Sequence, residues 1–294
     1  MLLLGFLQQY QLAALTVLPI SFFGMVCNLF VSIFIFRLRS MANPFGRLRG
    51  SLAIAEAVHL TVFTVYFVPM VFFDLEILRI YSRYCGVILI VCFELAIYTH
   101  TLISINRFCA IYFPFQYNRI FRHNVTVVLI AITWLLAALP AIYLYGISSC
   151  RFEYFGDHWR FGFLANEGCL EIPFPTNLPT FITCTCVIIF LDFIAIYRVR
   201  VYNREIAIRQ RNSCWNKARK HDEVNFLKQA CLQSVLFILG IVMYFVLSYY
   251  FENPWINFCL TTVTWVSVHT FDGFITLLYN REFHALLHRK KQKS

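Results

Sequence analysis

The chain has 294 residues, 60% of them hydrophobic and only 14% charged, with a net charge of +10 and a mean hydropathy of +0.66. A water-soluble domain carries about a quarter charged residues, so this composition excludes an ordinary soluble globule. The apolar residues fall in long blocks, and seven spans of about 20 residues each leave no room for a second domain within residues 1–294.

In chain order the apolar blocks predict spans near 11–36, 50–73, 84–109, 125–147, 179–199, 224–250 and 255–279. An amphipathic tail follows over 281–294, with Phe283, Leu286 and Leu287 set toward lipid. The opening Met1–Tyr10 lacks both a basic start and a small-residue cleavage pattern, so a cleaved signal peptide is not expected. Orientation follows from Lys and Arg, which collect in cytoplasmic loops. With the N-terminus outside, all but Arg79, Arg83, Arg151 and Arg160 fall on the inner side. Arg37, Arg39, Arg47 and Arg49 are placed in the first inner loop on this count, and the 198–220 stretch makes the third inner loop strongly basic. The positive charge therefore faces anionic lipid and inner partners rather than nucleic acid. Cys85, Cys150 and Cys169 lie on the outer side, where disulfides persist, and no Cys-x-x-Cys metal spacing occurs.

Ionisable groups at bilayer depth cost about 2.5–3.5 kcal/mol each and normally face the bundle interior. Glu56, Glu94, Asp192 and Asp272 qualify, and Asn28 joins them as a strong hydrogen-bonding group. Asn28, Glu56 and Asp272 lie at depths that let three neighbouring helices converge. This reads either as a knot that fixes packing or as one that rearranges when a ligand binds. At the inner end of span three, Asn106-Arg107-Phe108 is followed by Pro114 and Tyr117. Arg107 is either an interfacial snorkelling residue or one half of an ion pair with Glu223, which opens span six.

These residues resemble the rhodopsin-like receptors, through Asn28, Leu52-Ala-Ile-Ala-Glu56, Asn106-Arg107-Phe108, Trp134, Asp272-Gly273-Phe274-Ile275-Thr276 and Asn280-Arg281-Glu282-Phe283. They are similar in more detail to the nematode serpentine receptor class X chemoreceptors. That likeness is carried by Phe45-Gly46-x-Leu48, by His100 through Ala110, by Phe113-Pro114-x-x-Tyr117 and by Trp159-x-Phe161. It continues through Glu223-x-Asn225-Phe226-Leu227-x-Gln229 and Trp265-x-x-x-His269-x-x-Asp272-Gly273. The resemblance implies an all-α seven-helix bundle with its N-terminus outside and a short eighth helix. It implies a chemosensory receptor of the plasma membrane of sensory neurons that answers an external small molecule through a heterotrimeric G protein. The resemblance implies neither enzymatic activity nor a cofactor or metal.

Departures from the rhodopsin-like pattern sharpen the expectations. Span six has Gly240-Ile241-Val242-Met243 where Cys-Trp-x-Pro is usual, and Asp272-Gly273 lacks the usual proline. The residue before Arg107 is Asn, so Arg107 is expected to lean on Glu223. Cys85 sits nearly a turn deeper than the family's span-three cysteine, so Cys150–Cys169 is preferred to Cys85–Cys169. Phe93, Glu94, Tyr244, Trp265 and His269 are the ligand candidates, each set against ordinary core packing. Glu94 leads because a buried acid seeks a cation or donor, which suits an amine. His59 and His100 read as satisfied interior residues. A light sensor would need a lysine in 255–279, which has none, and a transporter would show repeats and broken helices. The oligomeric state is left open.

Overall fold

The computed structural model describes residues 7–148, 150–164, 169, 173–209, 214–280 and 282–283; within its helices the side chains of 173–178, 202–209, 214–227 and 230 fall outside that description. Six helices among the described residues are long and apolar enough to cross a membrane: Gln9–Arg37, Pro44–Phe72, Ser82–Tyr112, His123–Ile147, Pro179–Val201 and Cys231–Tyr250. A seventh rod runs continuously over 254–279. It is less apolar than the others because it carries Thr261, Thr262, His269, Thr270, Asp272 and Thr276, all buried inside the bundle. Span three stands at the centre, against spans two, four and five, while span one packs on two and seven, and seven on six. Span four exposes Leu135, Leu136, Leu139 and Ile142, and span five Phe190 and Phe193; these apolar faces are set for lipid.

Span two begins earlier than its hydropathy suggests. Pro44 occupies the first turn, where its missing N–H costs nothing, and the Asn43 side chain caps the helix by accepting from the Gly46 N–H at 2.9 Å. Arg47 and Arg49 are therefore helical residues rather than loop residues, and Arg49 is fully buried. Three spans carry a wide π-turn in their outer halves: Val62–Phe67 in span two, Ile142–Ile147 in span four and Cys259–Val263 in span seven. Gly273 lies inside the continuous helix Thr264–Tyr279. It allows close approach to span one, since a Cβ there would lie 2.5 Å from Asn28 Oδ1.

Beyond span seven the chain folds back onto the first inner loop. Glu282 accepts from the Ser40 N–H at 3.3 Å, and Asn280 donates to Ser40 Oγ at 3.4 Å. Phe283 is fully buried, 5.8 Å from the Phe30 ring, which corrects its expected lipid-facing position. Leu286, Leu287 and the rest of the tail lie outside the described residues.

Candidate functional site

The outer end of the bundle is roofed by a two-stranded hairpin, β1 (Phe152–Phe155) and β2 (Arg160–Phe163), paired antiparallel with Phe152 opposite Phe163 and Tyr154 opposite Phe161. This period-two pattern turns Phe152, Tyr154, Phe161 and Phe163 to one face. Phe152 and Phe161 are fully buried. Cys150–Cys169 closes as a disulfide at the base of the hairpin, as preferred, while Cys85 is a free thiol. Anchors reach the roof from three spans. Ser82 Oγ accepts from the Tyr154 N–H at 3.2 Å, the Tyr244 hydroxyl donates to the Phe161 carbonyl at 2.8 Å, and Thr262 donates to the Trp159 carbonyl at 2.9 Å. Arg83 donates to the carbonyls of Tyr145, Gly146 and Ser148, pinning the chain that enters the hairpin. Gly86 lets span three slide under the roof, because a Cβ there would collide with the Phe152 carbonyl.

Beneath the roof lies a cavity of about 30 Å³, enough for about one or two waters. Its walls are Phe93 of span three, Phe237, Tyr244 and Phe245 of span six, and Trp265 and His269 of span seven. Phe152 and Phe163 close it from above, and Gly240 widens it from span six. Four of the five ligand candidates meet here. Glu94 does not line the cavity; it is buried elsewhere on span three, within electrostatic reach of Tyr98 and Tyr145. The indole of the cavity comes from span seven, whereas span six has Ile241 where rhodopsin-like chains usually hold a tryptophan.

The floor of the cavity leads into a buried polar cluster. His269 Nδ1 lies 3.5 Å from Glu56 Oε1, and its ring lies tilted against that of His59 with centroids 4.0 Å apart. Neither His59 nitrogen has a hydrogen-bond partner among the described residues, so His59 is not the satisfied residue expected. One ligand atom each from Glu56, His100 and Asp272 lie within 4.8 Å of one another. His100 Nε2 is 3.8 Å from Asp272 Oδ1, so His100 also belongs to the cluster rather than to plain packing. Such a group could hold a cation, yet a positive charge is already present. Arg49 NH1 sits 2.8 Å from Asp272 Oδ2, and Arg49 NH2 donates to Thr276 Oγ1 at 2.5 Å and the Asp272 carbonyl at 3.3 Å. Gln233 of span six donates to the same carbonyl at 2.8 Å, and Gln229 to Thr276 Oγ1 at 3.2 Å. Asn28 donates to the carbonyls of Gly24 and His269, both at 3.1 Å, and so ties span one to span seven through backbone rather than through the carboxylates.

At the inner end, Arg107 NH1 lies 3.6 Å from Asp192 of span five and 3.8 Å from Cys231 Sγ of span six. The Glu223 side chain, expected to pair with Arg107, is outside the described residues. Asn106 donates to the Tyr117 hydroxyl at 3.2 Å, which ties span three to the short inner helix Pro114–Ile120. Phe108 stacks on Tyr112 at 4.8 Å, and Pro114 opens that short helix. Arg49, Gln229 and Gln233 were missed as site residues. The available signal was helical spacing: Arg49 precedes Glu56 by two turns on one face of span two, and Gln229 and Gln233 are one turn apart on span six.

The backbone overlays that of squid rhodopsin with a TM-score of 0.79 at 16% identity, covering 95% of this chain and 84% of the other. The fold is therefore the rhodopsin-like seven-helix bundle of an integral, multi-pass membrane protein. Residues 18–280 match the serpentine type 7TM GPCR chemoreceptor family Srx, and the chain belongs to that family of non-enzymatic receptors. It is 31% identical to serpentine receptor class X 45 of Caenorhabditis elegans, over 94% of this chain and 81% of that one. It is 25% identical to serpentine receptor class X-43 of the same organism, over 64% of this chain and 58% of the relative.

Proposed function

We propose that this chain is a plasma-membrane chemosensory receptor that takes an external small molecule into the cavity under the hairpin and activates a heterotrimeric G protein at its inner face. One observation carries the reading: the floor of that cavity, His269, is 3.5 Å from Glu56, a member of the cluster that links spans two, three and seven. A molecule that displaces His269 shifts the balance of charges between Glu56 and Asp272, and with it the hold of Arg49 and Gln233 on span seven. Helix shifts of this kind, about 1–2 Å, are the usual currency of switching. At the inner end the pair Arg107–Asp192 ties span three to span five, and opening it frees a cationic surface for an acidic partner. Residence on sensory neurons and contact with membrane lipid belong to the same proposal.

The test is a second-messenger screen in cells expressing the chain, against volatile and water-soluble compounds, with surface-expressed Arg107→Ala as control. The reading expects at least one compound to evoke a response that Arg107→Ala loses. A response equal in both, or vesicular uptake of a compound without any second-messenger change, contradicts it.

A further inference from the structure

The cavity has a chemistry narrower than its place in the fold requires. No lining residue carries a carboxylate, an ammonium or a guanidinium. Its walls are mainly aromatic rings and aliphatic groups, so a charged ligand would lose its hydration with no opposite charge to replace it. The Tyr244 hydroxyl lends its proton to the Phe161 carbonyl of the roof and has no further proton to give. Two donors of the wall are left over, an indole and an imidazole N–H. The Trp265 indole N–H is buried and has no acceptor among the described residues, although an indole nitrogen normally finds one when buried. His269 is likewise buried, with no hydrogen-bond partner on either imidazole nitrogen.

Resting on the receptor reading above, we infer that the cavity is built for a small, uncharged, mainly apolar molecule bearing one hydrogen-bond acceptor of the carbonyl or ether type, with Trp265 as the donor that recognises it. A ligand larger than one or two waters must displace part of the aromatic wall on entry. The floor position of His269 puts the polar end of the ligand next to the residue that faces Glu56. An amine-bearing ligand is not expected here, because Glu94, the acid that would have answered it, is not in the wall.

The experiment compares a matched six-carbon series on the full chain in lipid nanodiscs: 2-hexanone, hexane, hexylamine and hexanoate. Binding is read by thermal shift and by competition with tritiated 2-hexanone, so it does not depend on any G protein. The ketone is expected to bind, the alkane about three- to tenfold more weakly for want of the hydrogen bond, and both ions at least about a hundredfold more weakly. Trp265→Phe is expected to abolish the preference for ketone over alkane while leaving alkane binding unchanged. Trp255→Phe, at an indole outside the cavity wall, checks that losing a tryptophan is harmless in itself. If Trp265→Phe does not reach the surface, Gly240→Ala replaces it, and the added methyl should weaken ketone and alkane alike. Tighter binding of the amine or the acid, no binding of the ketone, or a ketone preference that survives Trp265→Phe each overturns the inference. Ketone binding without second-messenger change leaves the inference standing and refutes the receptor reading; an amine-evoked response that Arg107→Ala loses does the reverse.

Discussion

The aromatic layer under the hairpin and the charged layer beneath it share spans three, six and seven, with span two added below through Arg49 and Glu56, yet they are held together in opposite ways. In the upper layer Phe93, Phe237, Phe245 and Trp265 meet ring to ring at 5.9–6.1 Å where paired with Phe93, with contacts that many rearrangements would preserve. In the layer below, Arg49, Asp272, Thr276, Gln229 and Gln233 are joined by directional polar contacts at 2.5–3.2 Å. Ring packing is non-directional and tolerant, whereas a buried charge cluster has few satisfactory states. A soft layer that adapts to a molecule above a stiff layer with few states is a fit arrangement for turning occupancy into a discrete change. His269 belongs to both layers and is where they meet.

Breaking the stiff layer should cost most. Arg49→Met leaves Asp272 buried without its cation, and the expected loss is about 3–5 kcal/mol of stability, read as a fall in thermal midpoint and surface expression. The double variant Arg49→Met with Asp272→Leu should recover most of that loss, since it removes both charges together. If the single change is silent, the guanidinium is not the keystone of the layer.

Fixing the roof comes next. Removing the disulfide with Cys150→Ser should cost about 2–4 kcal/mol, given the 19-residue separation it closes. It should also loosen the hairpin, seen as faster amide exchange over 150–164, while exchange at Arg49 and Asp272 stays as it was. Equal loosening of both layers would deny the contrast between them. The smallest expected effect is Tyr244→Phe, which removes one hydrogen bond to the Phe161 carbonyl and about 0.5–1.5 kcal/mol. Thermal midpoints measured beside Cys150→Ser place the two on one scale.

Much of the bundle was legible because lipid imposes a simple rule: long apolar runs became helices. The convergence of Glu56 and Asp272 was legible for the same reason, since an acid at bilayer depth must face inward. Arg49 was hidden by that rule. Its basic charge next to Arg47 resembled an ordinary inner-loop residue, and only the Asn43 cap with Pro44 behind it reveals that the helix had already begun. Phe283 misled for a related reason: a hydrophobic residue past the last span suits lipid by composition, but here it seals the contact with Phe30. Gly273 stood out in the sequence only for the absence of the usual proline, and its close approach to the Asn28 side chain was not legible there. The placement of Glu94 and the unpaired Trp265 N–H depend on rotation of spans about their axes, which side-chain types alone do not give.

The central claim is that a ligand-driven change reaches a G protein through the inner ion pair of spans three and five. It is tested most directly by nucleotide exchange on a purified heterotrimer with the receptor in nanodiscs, comparing the native chain with Asp192→Asn and with Asp192→Asn plus Arg107→Ala. Freeing Arg107 in the first variant should raise basal exchange several-fold, and the second change should return it to background. Exchange that is the same for all three chains would contradict the account.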